Sequence, residues 1–84
     1  MTSQKKIIVI TGASSGIGQD IAMSLAAAGH TVYAGARRVE RMQPLAAAGI
    51  NVSELDVTSI ESIATFVGSV LEQEDKVDVL INNA

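Results

Sequence analysis

The chain has 84 residues, enough for one small domain, and a domain of that size buries only about 60% of its unfolded surface. Hydrophobic residues make up 48% and charged residues 18%, which argues against disorder, and the absence of cysteine excludes a disulfide framework and a thiolate metal site. Aromatics at 2% and a net charge of −3 speak against a nucleic-acid surface, and no apolar run approaches the ~20 residues of a membrane helix. The four apolar residues after Lys5-Lys6 are too few for a signal-peptide core, so the expected location is cytoplasmic, with no membrane partner.

Ile7-Ile8-Val9-Ile10 is a β-branched run too short for a helix and suited to a strand buried on both faces. A helical pattern follows, with Ile17, Ile21, Ala22, Leu25 and Ala28 on one face, and Gly29 ends it. His30 reads as a surface or capping residue. Thr31 to Ala36 reads as a second strand, with Tyr33 packed in it. The segment Val39–Ala48 is weakly amphipathic, and Pro44 predicts a short or early-kinked helix.

Ile50 to Leu55 alternates in polarity and predicts a third strand at an edge. Thr58 and Glu61 have the spacing of a capping box opening the longest helix, whose apolar face carries Ile60, Ile63, Ala64, Val67, Val70 and Leu71. Glu72 to Asp75 reads as a solvated exit. Val77 to Ile81 predicts a fourth strand interrupted only by Asp78, with Lys76, like Lys5 and Lys6, as a solvated flanking charge. Strands alternating with helices imply a parallel α/β sheet of right-handed βαβ units, and a doubly wound sheet of the dinucleotide-binding kind takes the order 3-2-1-4.

The chemistry sits between the first strand and the first helix, in Thr11-Gly12-Ala13-Ser14-Ser15-Gly16-Ile17-Gly18. One glycine after a strand allows a tight reversal, a second clears the backbone for a pyrophosphate, and a third lets the helix pack closely. The helix N-terminus then offers free N–H groups to the anion. The lysine of a nucleoside-triphosphate loop is missing, so the turn points to a dinucleotide. Ser14 fits either a helix N-cap or a phosphate contact.

The turn resembles that of the short-chain dehydrogenase/reductase family. Leu55-Asp56-Val57 is similar to the family's segment after the third strand. Asn82-Asn83-Ala84 is similar to the start of its Asn-Asn-Ala-Gly motif. The resemblance runs from Lys5 to Ala84 and implies an incomplete Rossmann-type fold, residues 1–84 being the N-terminal dinucleotide-binding half of one domain, with Gly12, Ser14, Ser15, Gly16, Ile17, Gly18, Asp56, Val57 and Asn83 at the cofactor and Asp56-Val57 at the adenine. It also implies an oxidoreductase acting on a small carbonyl or alcohol substrate, homo-oligomeric when complete. The family's catalytic serine and Tyr-x-x-x-Lys pair have no match here: Tyr33 is followed at the fourth position by Arg37. No catalytic residue is therefore assigned, and a non-catalytic nucleotide-binding module or a truncated product without function stands as the alternative.

An NAD site carries an acidic residue at the end of the second strand. Ala36 falls there, followed by Arg37 and Arg38, two cations at the start of a helical segment, where they are electrostatically unfavourable unless an anion joins them. A solvated pair would explain them structurally. The expectation is NADP, with the 2′-phosphate on Arg37, helped by Arg38 and Ser14, and NAD second.

Overall fold

The computed structural model describes residues 5–83. Four strands, β1 (Ile7–Thr11), β2 (Thr31–Ala36), β3 (Asn51–Glu54) and β4 (Val79–Asn82), form one sheet in the order β3-β2-β1-β4. Every pair is parallel, with Ile8 opposite Val32 and Val79, and Thr11 opposite Gly35 and Asn82. Three α-helices connect them: α1 (Gly16–Ala27), α2 (Gln43–Ala47) and α3 (Ile60–Glu74). The parallel architecture is that expected from the alternation of elements, the strand order is that expected of the doubly wound dinucleotide fold, and β1 is buried along its whole length.

The sheet has a core on each face. On one side Ile10, Val32, Ala34 and Ala36 meet Ala22 of α1 and Met42 and Leu45 around α2. On the other, Ile7, Val9 and Tyr33 meet Leu55, Phe66 and Val70. The two sets follow the period-2 alternation of β1 and β2. At Gly35 an added Cβ would lie 2.8 Å from Leu55 Cβ and 3.2 Å from Phe66, so the second face closes only because that side chain is missing.

The segment after β2 splits at Pro44 as expected: a 3₁₀ turn over Val39–Met42 runs into the short α2, with the proline in its first turn. Several expectations change. Ile17 is 70% exposed although Gly18 beside it is buried, and Ala28 is the exposed C-cap. The cap of α3 is Ser59, whose side chain accepts the Ser62 N–H, and Thr58 is drawn away by hydrogen bonds to Asp56. Of the predicted apolar face of α3, Val70 is buried and Ile60 is 85% exposed; Phe66 is the second anchor.

Three polar side chains, of His30, Tyr33 and Asp78, tie elements together. The His30 Nδ1 accepts the Lys6 N–H at 3.1 Å, securing the entry to β1. The Tyr33 hydroxyl donates to Glu74 at 2.6 Å, so that end of α3 is pinned to β2 and is no free exit. Burial, then the Glu74 carboxylate, push the Tyr33 phenol up to about 12. Asp78 accepts the Ile7 N–H at 2.7 Å and donates its own N–H to the Ile7 carbonyl at 2.9 Å. The fourth strand is thus registered by a side chain one residue before its backbone ladder begins. That bond to Ile7 N–H, with Lys76 at 3.4 Å, holds the Asp78 carboxyl below its usual range.

A carboxyl lowered on folding stabilises above its unfolded pKa, and that contribution disappears as pH falls through the folded value. Acidification below about pH 4 should therefore lower the melting temperature. Asp78→Asn, which keeps an acceptor but no charge, should lose less on acidification in circular-dichroism melts. The edge of β4 supplies another expectation. Leu80 on that strand is 65% exposed, beside a groove of about 290 Å³ lined by Val9, Ile63, Phe66 and Val67. Such an edge invites pairing, so the isolated chain should self-associate in sedimentation velocity and Leu80→Lys should shift it toward monomer. A monodisperse wild-type monomer contradicts this.

Candidate dinucleotide site at the strand ends

The site is built where β1 and β4 end side by side. Their register places Thr11 opposite Asn82. The Thr11 hydroxyl donates to Asn82 Oδ1 at 2.9 Å and accepts the Asn83 N–H at 3.2 Å, which fixes the path of the chain as it leaves β4. Asn83 then turns toward the glycine-rich loop. Its Nδ2 donates to the Gly12 carbonyl at 3.1 Å and to Ser15 Oγ at 3.2 Å.

Gly12 is required by this approach. Its φ is +68°, and a Cβ built there would lie 1.5 Å from the Asn83 carbonyl oxygen, which no rearrangement of a side chain relieves. Gly18 is crowded in the same way, with the Gly12 carbonyl and Asn83 Nδ2 each 2.6 Å from an added Cβ. At Gly16 the opposite holds: nothing stands within 4 Å. The three glycines thus differ in purpose. Gly12 and Gly18 let chain segments meet, while Gly16 leaves the loop open outward.

Ser15 is the N-cap of α1. Its Oγ accepts the Gly18 N–H at 3.2 Å and donates to the Gly12 carbonyl at 3.2 Å. The N-cap role considered for Ser14 therefore belongs to its neighbour, and Ser14 instead lines a cleft. That cleft, about 220 Å³, is bounded by Thr11, Gly12, Ser14, Ala36, Arg37, Leu55 and Val57. It opens at the strand ends, beside the N-terminus of a 12-residue helix that carries no acidic residue in its first turn. Amide hydrogens and a positive helix end there suit an anion.

Asp56 stands on the far side of the cleft, between Leu55 and Val57. One carboxylate oxygen accepts the Thr58 hydroxyl at 2.6 Å and the Thr58 N–H at 2.9 Å, and its own N–H donates to Ser62 Oγ at 2.9 Å. The Thr58 hydroxyl, then the Thr58 amide, hold the Asp56 carboxyl below its usual range, and the Arg37 charge adds to this. The carboxylate is thus ionised and oriented, with its second oxygen not engaged by Thr58.

Of the residues expected at the cofactor, Gly12, Ser14, Arg37 and Val57 share the cleft wall. Ser15, Gly18 and Asn83 form the bonded framework behind it. Gly16, Ile17 and Arg38 are exposed and do not line it, and Arg38 precedes the 3₁₀ turn with no side-chain hydrogen bond to cap it. Ala84, the end of the Asn-Asn-Ala run, lies outside the described residues. Two contributors were not assigned a role from sequence. Thr11 joins the strand ends, which only the β1–β4 register shows. Gln19 reaches the Arg41 carbonyl at 2.7 Å, across 22 residues of sequence.

A four-stranded parallel half-sheet with a glycine-rich turn at its switch point, where strand order reverses between β1 and β4, defines a dinucleotide-binding Rossmann-type unit. The model of the short chain dehydrogenase family matches residues 6–84, and the chain belongs to that family. A short-chain dehydrogenase/reductase of Pestalotiopsis microspora is 45% identical over 85 residues, covering 100% of this chain and 30% of the relative. The NADPH-dependent 1-acyldihydroxyacetone phosphate reductase of Saccharomyces cerevisiae is 45% identical over 86 residues, covering 95% and 29%. Among solved structures, a short-chain dehydrogenase from Streptomyces avermitilis superposes with a TM-score of 0.90 at 44% identity, covering 96% of this chain and 31% of that one. The chain therefore spans about a third of the length of the relatives it matches.

The Asn83 bridge should matter for stability. Asn83→Ala removes two hydrogen bonds and leaves Gly12 and Ser15 partly unpaired, at a cost of about 1–2 kcal/mol. For a domain of this size that is a drop of roughly 4–16 °C in Tm. Thermal melts of the variant check it, and an unchanged Tm contradicts it.

Proposed function

We propose that this chain is the NADP(H)-binding part of an oxidoreductase that moves hydride between the nicotinamide and a carbonyl or alcohol carbon of a small substrate. The observation that carries the cofactor reading is the placement of Arg37. It follows the end of β2, where Ala36 takes the position of the acid that favours NAD, and it lines one cleft with Gly12 and Ser14. A guanidinium binds a phosphate through paired, charge-assisted hydrogen bonds.

The residues present fit the group. The outward-open backbone at Gly16 and the free amides of α1 suit the pyrophosphate. Arg37, with Arg38 and Ser14 beside it, suits the 2′-phosphate. Leu55 and Val57 offer an apolar surface for the adenine, with the ionised Asp56 at its edge. The bound cofactor would supply the hydride. This chain's own residues bind and orient it.

Proton transfer is not assigned to this chain. Tyr33, its sole tyrosine, is 4% exposed, bonded to Glu74 and not among the residues lining the cleft. In this reading the acid–base group is contributed by sequence outside these 84 residues. A cytoplasmic location and a homo-oligomeric complete protein belong to the same proposal. Among the described residues, no helix is long and apolar enough to cross a membrane.

The test is nucleotide binding by calorimetry, NADPH against NADH, with Arg37→Ala. Wild type should prefer NADPH, and the variant should lose about ten- to a hundredfold in NADPH affinity with little change for NADH. Equal affinities untouched by the substitution overturn the NADP assignment. Binding of neither nucleotide overturns the cofactor reading altogether.

A further inference from the structure

We propose that Gln19 is a positioning residue that sets the arginine segment after β2 relative to the phosphate turn, and so tunes discrimination between NADPH and NADH. The inference rests on the reading of Arg37 and Arg38 as the 2′-phosphate site. Gln19 lies in the second turn of α1, half-buried, with its backbone N–H bonded to the Ser15 carbonyl at 2.9 Å. Its side chain crosses to the 3₁₀ turn over Val39–Met42, where Nε2 donates to the Arg41 carbonyl at 2.7 Å. The same Nε2 faces the Ser14 carbonyl at 3.5 Å, a longer and weaker contact. Both partners are acceptors, so the amide nitrogen, not its oxygen, must take this end.

The geometry gives the bond a purpose beyond local stability. Ser14 and Arg37 line the cleft, so Gln19 connects the turn that begins directly after the arginines to the helix that follows Ser14. The arginines it adjoins have little side-chain support of their own. Arg37 and Arg38 are exposed, Arg38 caps nothing with its side chain, and the 3₁₀ turn starts from the Arg41 N–H bond to the Arg38 carbonyl at 3.1 Å. Among the described residues, the bond from Gln19 is the one side-chain hydrogen bond to residues 37–42. Met42 and the partly buried Val39 pack the turn on the core, but Arg37 and Arg38 precede both and stay exposed.

A guanidinium that must be immobilised on binding costs affinity, and a segment fixed beforehand avoids part of that cost. The effect falls on the ligand that uses the arginines. NADPH should feel the loss of Gln19, and NADH, lacking the 2′-phosphate, should not.

The variant is Gln19→Met, similar in length and without a donor, made in the full 84-residue chain. Two readouts are taken: NADPH and NADH affinity by calorimetry, and amide hydrogen exchange of residues 38–42 without nucleotide. NADPH binding should weaken about three- to tenfold, NADH binding by less than about twofold, and exchange in the turn should quicken about tenfold. An equal loss for both nucleotides marks Gln19 as structural support only and overturns the proposal. Unchanged exchange also overturns it, since burial of Met42 would then suffice. If wild type prefers NADPH and responds to Arg37→Ala while Gln19→Met changes nothing, the positioning role fails and the cofactor reading stands. If wild type binds neither nucleotide, both fail together.

Discussion

The carbonyl of Asn83 occupies the volume that a side chain at position 12 would need, and much of the site follows from that approach. It requires β1 and β4 to be neighbours in register, although 71 residues of sequence separate Thr11 from Asn82. It requires a backbone at Gly12 with positive φ, which starts the turn toward α1. It also brings the Asn83 amide within reach of the N-cap Ser15, so the same residue that closes the sheet steadies the start of the helix. The loop that faces the cleft is therefore held from behind, by strand ends and not by ligand. Pre-formed backbone donors of this kind give a phosphate a fixed target.

Across the cleft the restraints are of a different kind. Asp56 is held by Thr58 and Ser62, residues a few positions on in sequence, which makes that wall a local structure. The arginine segment lies past the end of β2 and outside its ladder, and is followed by a short 3₁₀ turn that the Gln19 side chain ties to α1. The site thus combines a rigid phosphate turn, a self-contained adenine wall and a more weakly tied arginine arm.

The parts legible in the sequence were those written in local pattern. The β-branched run of β1, the glycine after it and the proline that splits the segment before β3 each report their own conformation. The alternation of elements reports a parallel sheet, and the glycine-rich turn points to the doubly wound order. What stayed hidden depends on partners far along the chain. Nothing around Asp78 announces that its carboxylate will take the Ile7 N–H, and nothing around Tyr33 announces Glu74. The apolar periodicity of α3 overstated its burial. Periodicity reports which side chains share a face, whereas burial needs something packed on that face, and here only Phe66 and Val70 are covered. The displaced helix cap had a local cause that spacing alone conceals: Thr58 was preferred for its box spacing, but Asp56 competes for its hydroxyl and its amide.

The two faces of the sheet differ in one further respect. The chain has no tryptophan, and its one tyrosine and one phenylalanine, Tyr33 and Phe66, belong to the same core, the one beneath α3. The core beneath α1 and α2 is wholly aliphatic apart from Met42. Near-ultraviolet dichroism, which reports fixed aromatic packing, is consequently an optical monitor of one half of this molecule. Undocking of α3 would extinguish it, while loosening of the helix that carries the phosphate turn would pass without a signal.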